Sequence, residues 1–200
     1  MPRSILGLSD AAPEGGGVER MSSFENELIR IRNRGPRADH FYVVTVEEGM
    51  AIREDMAALV ELMAKSRGDR PFNSRADVSP SRLSKYLPRI TILEPVFDEE
   101  GHVVDARYRL MGTEISSLYG EATGQLISDY HGDQVLRRVC RISNHCIETR
   151  MPALGLSKAL SDGREYVDVS VLYFPLSKDG ETVNQFFIYS AVERARVGRL

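Results

Sequence analysis

The side chains capable of chemistry are few and scattered. Cysteine occurs at Cys140 and Cys146, and histidine at His40, His102, His131 and His145. Six residues along a helix rise about 9 Å, beyond the ~7 Å between Cα atoms that a disulfide tolerates. No histidine stands at ligand spacing to complete a zinc site. The two cysteines therefore read as small buried hydrophobes. Arg137, Arg138 and Arg141 form a basic cluster, which fits the wet face of a helix or a contact with an acidic partner. Asp98-Glu99-Glu100 reads as a turn, where carboxylates are easily solvated. No Gly-x-Ser-x-Gly elbow, phosphate-cradling glycine loop or His-Glu-x-x-His motif occurs. Thr123-Gly124 and Gly155 are isolated and carry no motif. No catalytic residue and no metal ligand is singled out, so the chemistry points to binding.

Composition agrees. The 200 residues are 42% apolar and 28% charged, with a net charge of -3. That supports one real core with an extension and lacks the basic excess of a nucleic-acid binder. No apolar run approaches the ~20 residues that cross a bilayer, and residues 1–17 lack a secretory apolar stretch. The expectation is a cytoplasmic protein with neither a nucleic-acid nor a membrane partner. Ala11-Ala12-Pro13-Glu14-Gly15-Gly16-Gly17 cannot bury enough surface to order itself. Residues 1–20 are expected to form a disordered leader, with Met21 an alternative start.

The elements follow from periodicity. Ser22 and Glu25 have capping-box spacing, with Phe24, Leu28 and Ile31 behind them, predicting a helix over 22–33. Residues 41–46 read as a β-branched strand or an extended lead-in. Ile52, Met56, Leu59 and Met63, widened by Val60, predict a helix over 47–67, with Glu47 and Glu48 at its start and Lys65 and Arg67 at its end. Ser79-Pro80 starts a short helix. Segments 90–97 and 103–111 form a hairpin, in which Ala106, Tyr108 and Leu110 alternate against Arg107 and Arg109. Short helices follow at 113–119 and 123–128, then a longer one at 133–149. Strands at 154–160, 166–174 and 184–192 close the chain, joined by glycine turns at Gly163 and Gly180. Two strands, helices and three more strands make an α+β design.

This order resembles a PAS domain. Tyr108-Arg109-Leu110-Met111-Gly112-Thr113-Glu114-Ile115, Tyr119-Gly120 and Thr123-Gly124 look like the second strand and following helices of the compact stand-alone PAS proteins common in alphaproteobacteria. Tyr86-Leu87-Pro88-Arg89-Ile90 resembles the approach to their first strand, and Pro175-Leu176-Ser177-Lys178-Asp179-Gly180 their last turn. One departure is Leu62-Met63, where similar proteins often carry Tyr-Trp. The resemblance spans about 56–192. It implies a five-stranded antiparallel sheet in the order 2-1-5-4-3, with helices on one face, beside an N-terminal helical extension. Residues 21–68 would form the extension and 69–195 the PAS-like domain. It also implies a pocket between sheet and longer helix. In some members that pocket holds haem, flavin or a small metabolite; in others it is filled and the domain serves for docking.

Within that frame, Leu110, Val135, Val139, Ile142, Cys146, Val169, Val171 and Ile188 share the phase to line the pocket. His145 falls with Arg138 and Arg141 at 100° per residue, off the apolar stripe, which argues against ligated haem; His131 sits on a loop. Residues 112–134 contain no cysteine, which argues against covalent flavin, while loosely bound flavin stays open. No cofactor is required. The other sheet face carries Leu172, Phe174, Phe187 and Tyr189, too apolar to be left wet. Ile52, Met56, Leu59 and Met63 are its available cover, either in a homodimer interface, the favoured arrangement, or as an intrachain lid. The expected function is a non-enzymatic sensor or interaction module that signals by noncovalent contact with a protein partner. A small-molecule sensor is the alternative, and an enzyme on a similar scaffold a third.

Overall fold

The computed structural model describes residues 41–158 and 167–194. The leader, the helix expected over 22–33, His40 and the turn at Gly163 lie outside the described residues.

Among the described residues one antiparallel sheet of six strands organises the chain. In sequence order the elements are β1 (Tyr42–Thr45), α1 (Glu54–Arg67), α2 (Pro80–Leu83), β2 (Ile90–Phe97), β3 (Val103–Met111), α3 (Thr113–Tyr119), α4 (Ile127–Tyr130), α5 (Asp133–Thr149), β4 (Ala153–Lys158), β5 (Val167–Ser177) and β6 (Val183–Arg194). The strands lie side by side as β1-β4-β5-β6-β2-β3. The last five keep the expected five-strand order. The sixth is new: β1 adds itself to the edge of β4, with Tyr42 opposite Leu156 and Thr45 opposite Ala153. The β-branched Val43, Val44 and Thr45 favour that extended backbone, and Val46 N–H donates to Pro152 O at 2.8 Å.

The helix expected from Glu47 begins instead at Glu54. Gly49 has φ +81° within a turn, and Met50 N–H donates back to Glu47 O; this left-handed step interrupts any helix through 47–52. Ile52 is consequently half-buried and off the helix. The dipole order survives with other acids, because Glu54 and Asp55 fill the first turn and Lys65 and Arg67 the last. The helix expected over 123–128 also starts later, at Ile127.

Alternation divides the sheet into two faces. On the outer face Leu172, Phe174, Phe187 and Tyr189 are buried, and so are Met56, Leu59 and Met63 of α1. Tyr189 Oη donates to Asp55 Oδ2 at 2.8 Å, which fixes the start of α1 over β6. Asn73 holds the other end: its side-chain amide donates to Met63 O at 2.9 Å, and its carbonyl accepts from Ser177 N–H. A single chain thus covers this apolar face with its own helix. On the inner face lies α5, tied to β3 by Asn144, whose amide accepts from Val103 N–H at 2.7 Å and donates to Val103 O at 3.1 Å.

Candidate ligand cavity

The inner face is built from side chains of unequal size. Gly155, Val171 and Ser190 stand side by side on β4, β5 and β6. The next row is Ala153, Tyr173, Ile188, Thr91 and Met111. The small first row leaves depth that α5 does not fill. The result is a cavity of about 350 Å³ between sheet and helix, within the range of small-molecule sites.

Local sequence sets each wall. Val135 and Val139 come from α5 at helical spacing, and Ile115 and Tyr119 from α3. Tyr108 and Met111 come from β3, although two residues, Arg109 and Leu110, separate them. The pairing of β2 with β3 slips between Ile92 and Leu93, where Leu110 and then Tyr108 are the successive partners. This bulge leaves Arg109 extra and turns both Tyr108 and Met111 inward. Leu110, expected to line the pocket by unbroken alternation, is instead 37% exposed and stands outside it. Val135, Val139, Val169, Val171 and Ile188 do border the cavity. Ile142 and Cys146 are fully buried core residues and do not border it.

Gly155 has a role that its isolation in sequence concealed. The Phe41 ring lies on it, and a Cβ there would come within 2.7 Å of that ring and 2.8 Å of Val171. Phe41 therefore forms a cavity wall only because residue 155 has no side chain. The Arg138 guanidinium stands 5.5 Å from the Phe41 ring centroid, at cation–π distance.

The polar groups at the cavity, among the described residues, are hydroxyls, one guanidinium and one imidazole. Thr91, Ser157 and Ser190 are buried hydroxyl residues of its floor. Tyr108 and Tyr173 are buried phenols whose pKa is pushed up by desolvation, so both stay neutral. His131 borders the cavity edge-on to Tyr108 and Tyr130, with centroids 5.9 and 4.9 Å away, and burial lowers its pKa. The loop position noted in the sequence thus reaches the site. His145, expected among wet arginines, is partly buried and shares a 2.8 Å hydrogen bond with Thr45 Oγ1. Strand β1 supplies that neighbour, and a helical wheel drawn on α5 alone contains no trace of it. Arg141 also reaches this strand, donating to Phe41 O at 3.1 Å.

No Asp, Glu or Lys borders the cavity among the described residues. Nor do they contain a group of three or more His, Cys, Asp or Glu placed to hold a metal ion. Cys140 and Cys146 are free, and burial raises the pKa of both, so neither is an activated thiolate. No described helix is long and apolar enough to cross a membrane.

Against known families, the model described as PAS domain matches residues 53–189. The chain belongs to the PAS domain family. PAS domains are typically sensory signalling modules, and the match takes in α1, α5, strands β2 to β5 and most of β6, and leaves out β1. No curated protein matches the PAS chain. Among solved structures it is similar to an RNA-binding Light-Oxygen-Voltage receptor at 14% identity, covering 78% of this chain and 39% of that one, with a TM-score of 0.36.

Proposed function

We propose that this PAS protein is a non-enzymatic sensor that binds a small organic molecule in the cavity between sheet and α5 and reports its presence through noncovalent docking to a signalling partner. The observation that carries this reading is the cavity of about 350 Å³. Interiors normally close at crystal-like density, and here the row Gly155, Val171 and Ser190 keeps the space open. Apolar walls with a few convergent polar groups are the usual make-up of a ligand site. Among the described residues the cavity borders carry no paired carboxylates for acid–base work, which favours binding over catalysis.

A route for the report lies on the opposite face. Ser190 and Ile188 border the cavity, and Tyr189 between them bonds Asp55 of α1. Tyr189 also interacts electrostatically with Arg89, whose guanidinium pairs with Glu114 of α3 at 2.6 Å. Helix α3 in turn brings Ile115 and Tyr119 to the cavity wall. Ligand contacts on α3 and β6 therefore share a polar chain with α1, the element on the outer surface.

The test is a thermal-shift screen of the full chain against a library of small metabolites, with native mass spectrometry of freshly purified protein. A bound class should raise the melting temperature in proportion to occupancy. The shift should vanish in a Val171→Phe, Ser190→Leu double variant that still folds. A library without a single such compound, or shifts that survive in the filled variant, would refute the ligand site.

A further inference from the structure

We propose that the surface formed by the last turn of α1, the loop after it and α2 is the docking site for an acidic segment of a partner protein. This rests on the reading of the protein as a docking sensor and adds where the partner binds and what chemistry it presents. Residues 65–89 hold seven of the 26 lysines and arginines of the chain but two of its 29 acidic residues, a formal charge of +5 on a protein whose net charge is -3.

The fold gathers these charges onto one surface. Arg70 and Arg82 both reach Ser66, the first donating to its carbonyl at 2.6 Å and the second to its hydroxyl at 3.1 Å. Lys65 and Arg67 flank Ser66 in the last turn of α1. Lys85 follows three residues after Arg82, with its ammonium 4.8 Å from the Tyr86 ring centroid. Arg75 Nη1 donates to Val78 O at 2.9 Å. Lys65, Arg70, Arg75, Arg82 and Lys85 are all exposed. Of the seven cations, Arg70 pairs with Asp77 at 2.9 Å and Arg89 with Glu114 at 2.6 Å. Among the described residues no carboxylate pairs with the other five. Ser177, whose N–H donates to Asn73 O, marks this end of the sheet. Lys158, Val167 and Arg194, where the described chain is interrupted or ends, lie at the opposite end, with Lys158 facing Asp168 and Val167 facing Arg194.

Arginine dominates this surface, and its planar fork pairs with carboxylates in bidentate fashion. Phosphate suits the same fork, so spacing and surroundings decide. A nucleic-acid strand presents one charge every ~3.4 Å and would run onto Asp69, which is exposed among the cations. The rest of the chain is acidic on balance, and that repels a long polyanion or an anionic bilayer. Carboxylates on a protein segment are spaced and can straddle Asp69. Leu87, two residues beyond Lys85 and 38% exposed, offers an apolar contact that a phosphate backbone does not use. The placement also suits a report from the cavity. Tyr189 holds the first turn of α1 through Asp55, and the last turn of the same helix carries Lys65 and Arg67. A shift of β6 passed to α1 would move these charges.

The experiment titrates the full-length protein against a fluorescent twelve-residue peptide of glutamates with two leucines, its glutamine counterpart, and a single-stranded DNA of the same length, read by anisotropy. The acidic peptide should bind about tenfold or more tighter than the glutamine peptide and weaken as salt rises. Lys65→Glu combined with Lys85→Glu should weaken it about tenfold or more. Arg109→Glu combined with Arg137→Glu changes the net charge equally at exposed positions elsewhere and should leave affinity within about twofold. Near-UV circular dichroism establishes that both double variants are folded. Equal losses in the two assign binding to net charge and overturn the surface. No binding, or equal affinity for the glutamine peptide, overturns the proposal outright. Tighter binding of the DNA, lost with Lys65 and Lys85, overturns the acidic protein segment in favour of a nucleic acid. The metabolite screen judges the cavity separately: peptide binding that depends on Lys65 and Lys85, without any ligand from that screen, keeps the docking surface and removes the sensor.

Discussion

The two faces of the sheet solve the same problem in opposite ways. On the outer face large side chains meet large side chains. Phe174 and Phe187 lie with centroids 5.7 Å apart, and Met56, Leu59 and Met63 of α1 are buried with them. On the inner face glycine, valine and serine stand side by side beneath a helix, and space remains. Adjacent residues of the same strands supply both results: Phe187 and Tyr189 point one way, Ile188 and Ser190 the other. The difference teaches that stability and binding can be divided between the faces of one sheet, with dense packing on one side allowing loose packing on the other.

Truncation should expose that division most strongly. Phe187→Ala on the outer face should cost about 3–5 kcal/mol, the usual loss for a buried phenylalanine. Val171→Ala on the inner face should cost less than about 1 kcal/mol, because its side chain already borders empty space. Urea denaturation of both variants measures the contrast, and similar losses would mean that the inner face is packed as tightly as the outer.

The next effect belongs to the inner face. Gly155→Ala pushes a methyl group into Phe41 and Val171 at contacts below 3 Å. Overpacking of this kind costs about 1–3 kcal/mol, and here it should also displace Phe41 from the cavity wall. A lower urea midpoint with altered ligand affinity is the expected result; a neutral substitution would place Phe41 elsewhere.

On the outer face Tyr189→Phe removes the hydroxyl that donates to Asp55. The expected loss is about 1 kcal/mol, typical of one hydrogen bond. Faster amide exchange over the first turn of α1 should accompany it. Unchanged exchange there would mean that Tyr189 does not hold the helix.

The smallest effects are in pH, and they separate the faces. Burial lowers the pKa of His131 below its ordinary 6.5. The unfolded chain then takes up this proton first, so stability falls as pH drops below about 6.5 and levels off once the folded histidine is protonated. Burial pushes the Asp55 carboxyl up, but hydrogen bonds from Arg53, Tyr189 and Met56 N–H outweigh it and hold the pKa below its ordinary 3.8. Its contribution is present above that value and disappears as pH falls through the lower folded pKa. Denaturation curves of His131→Gln and Asp55→Asn should therefore differ from the parent in separate windows, the first beginning near 6.5 and the second below about 4.

Much of this plan was legible in sequence, and the exceptions have physical causes. The strand segments, α5 and the apolar character of both faces followed from periodicity and turn residues, and the strand order from the resemblance to PAS domains. The outer lid was visible in Met56, Leu59 and Met63, but its anchoring through the contact between Asp55 and Tyr189 was not. Leu110 was misplaced because a bulge changes the phase of alternation without any mark such as glycine at the extra residue, Arg109. The start of α1 was misplaced because acidic residues occur at both 47–48 and 54–55, and Gly49 decides between them. The cavity's polar border was mostly hidden. Ser157, Ser190 and Thr91 look like ordinary strand residues until three strands bring them together, and His145 looks wet until β1 covers it.

That first strand also sets an order of events. Tyr42 pairs with Leu156 and Thr45 with Ala153, so β1 must wait for β4, more than a hundred residues later in the chain. Contacts across so long a loop close slowly and contribute late. During synthesis the Tyr42–Thr45 segment emerges early, finds no partner, and stays available until Ala153–Lys158 has left the ribosome. Phe41 reaches its seat on Gly155 only once β1 and β4 have met, so the cavity gains that wall through a long-range contact and not from local structure.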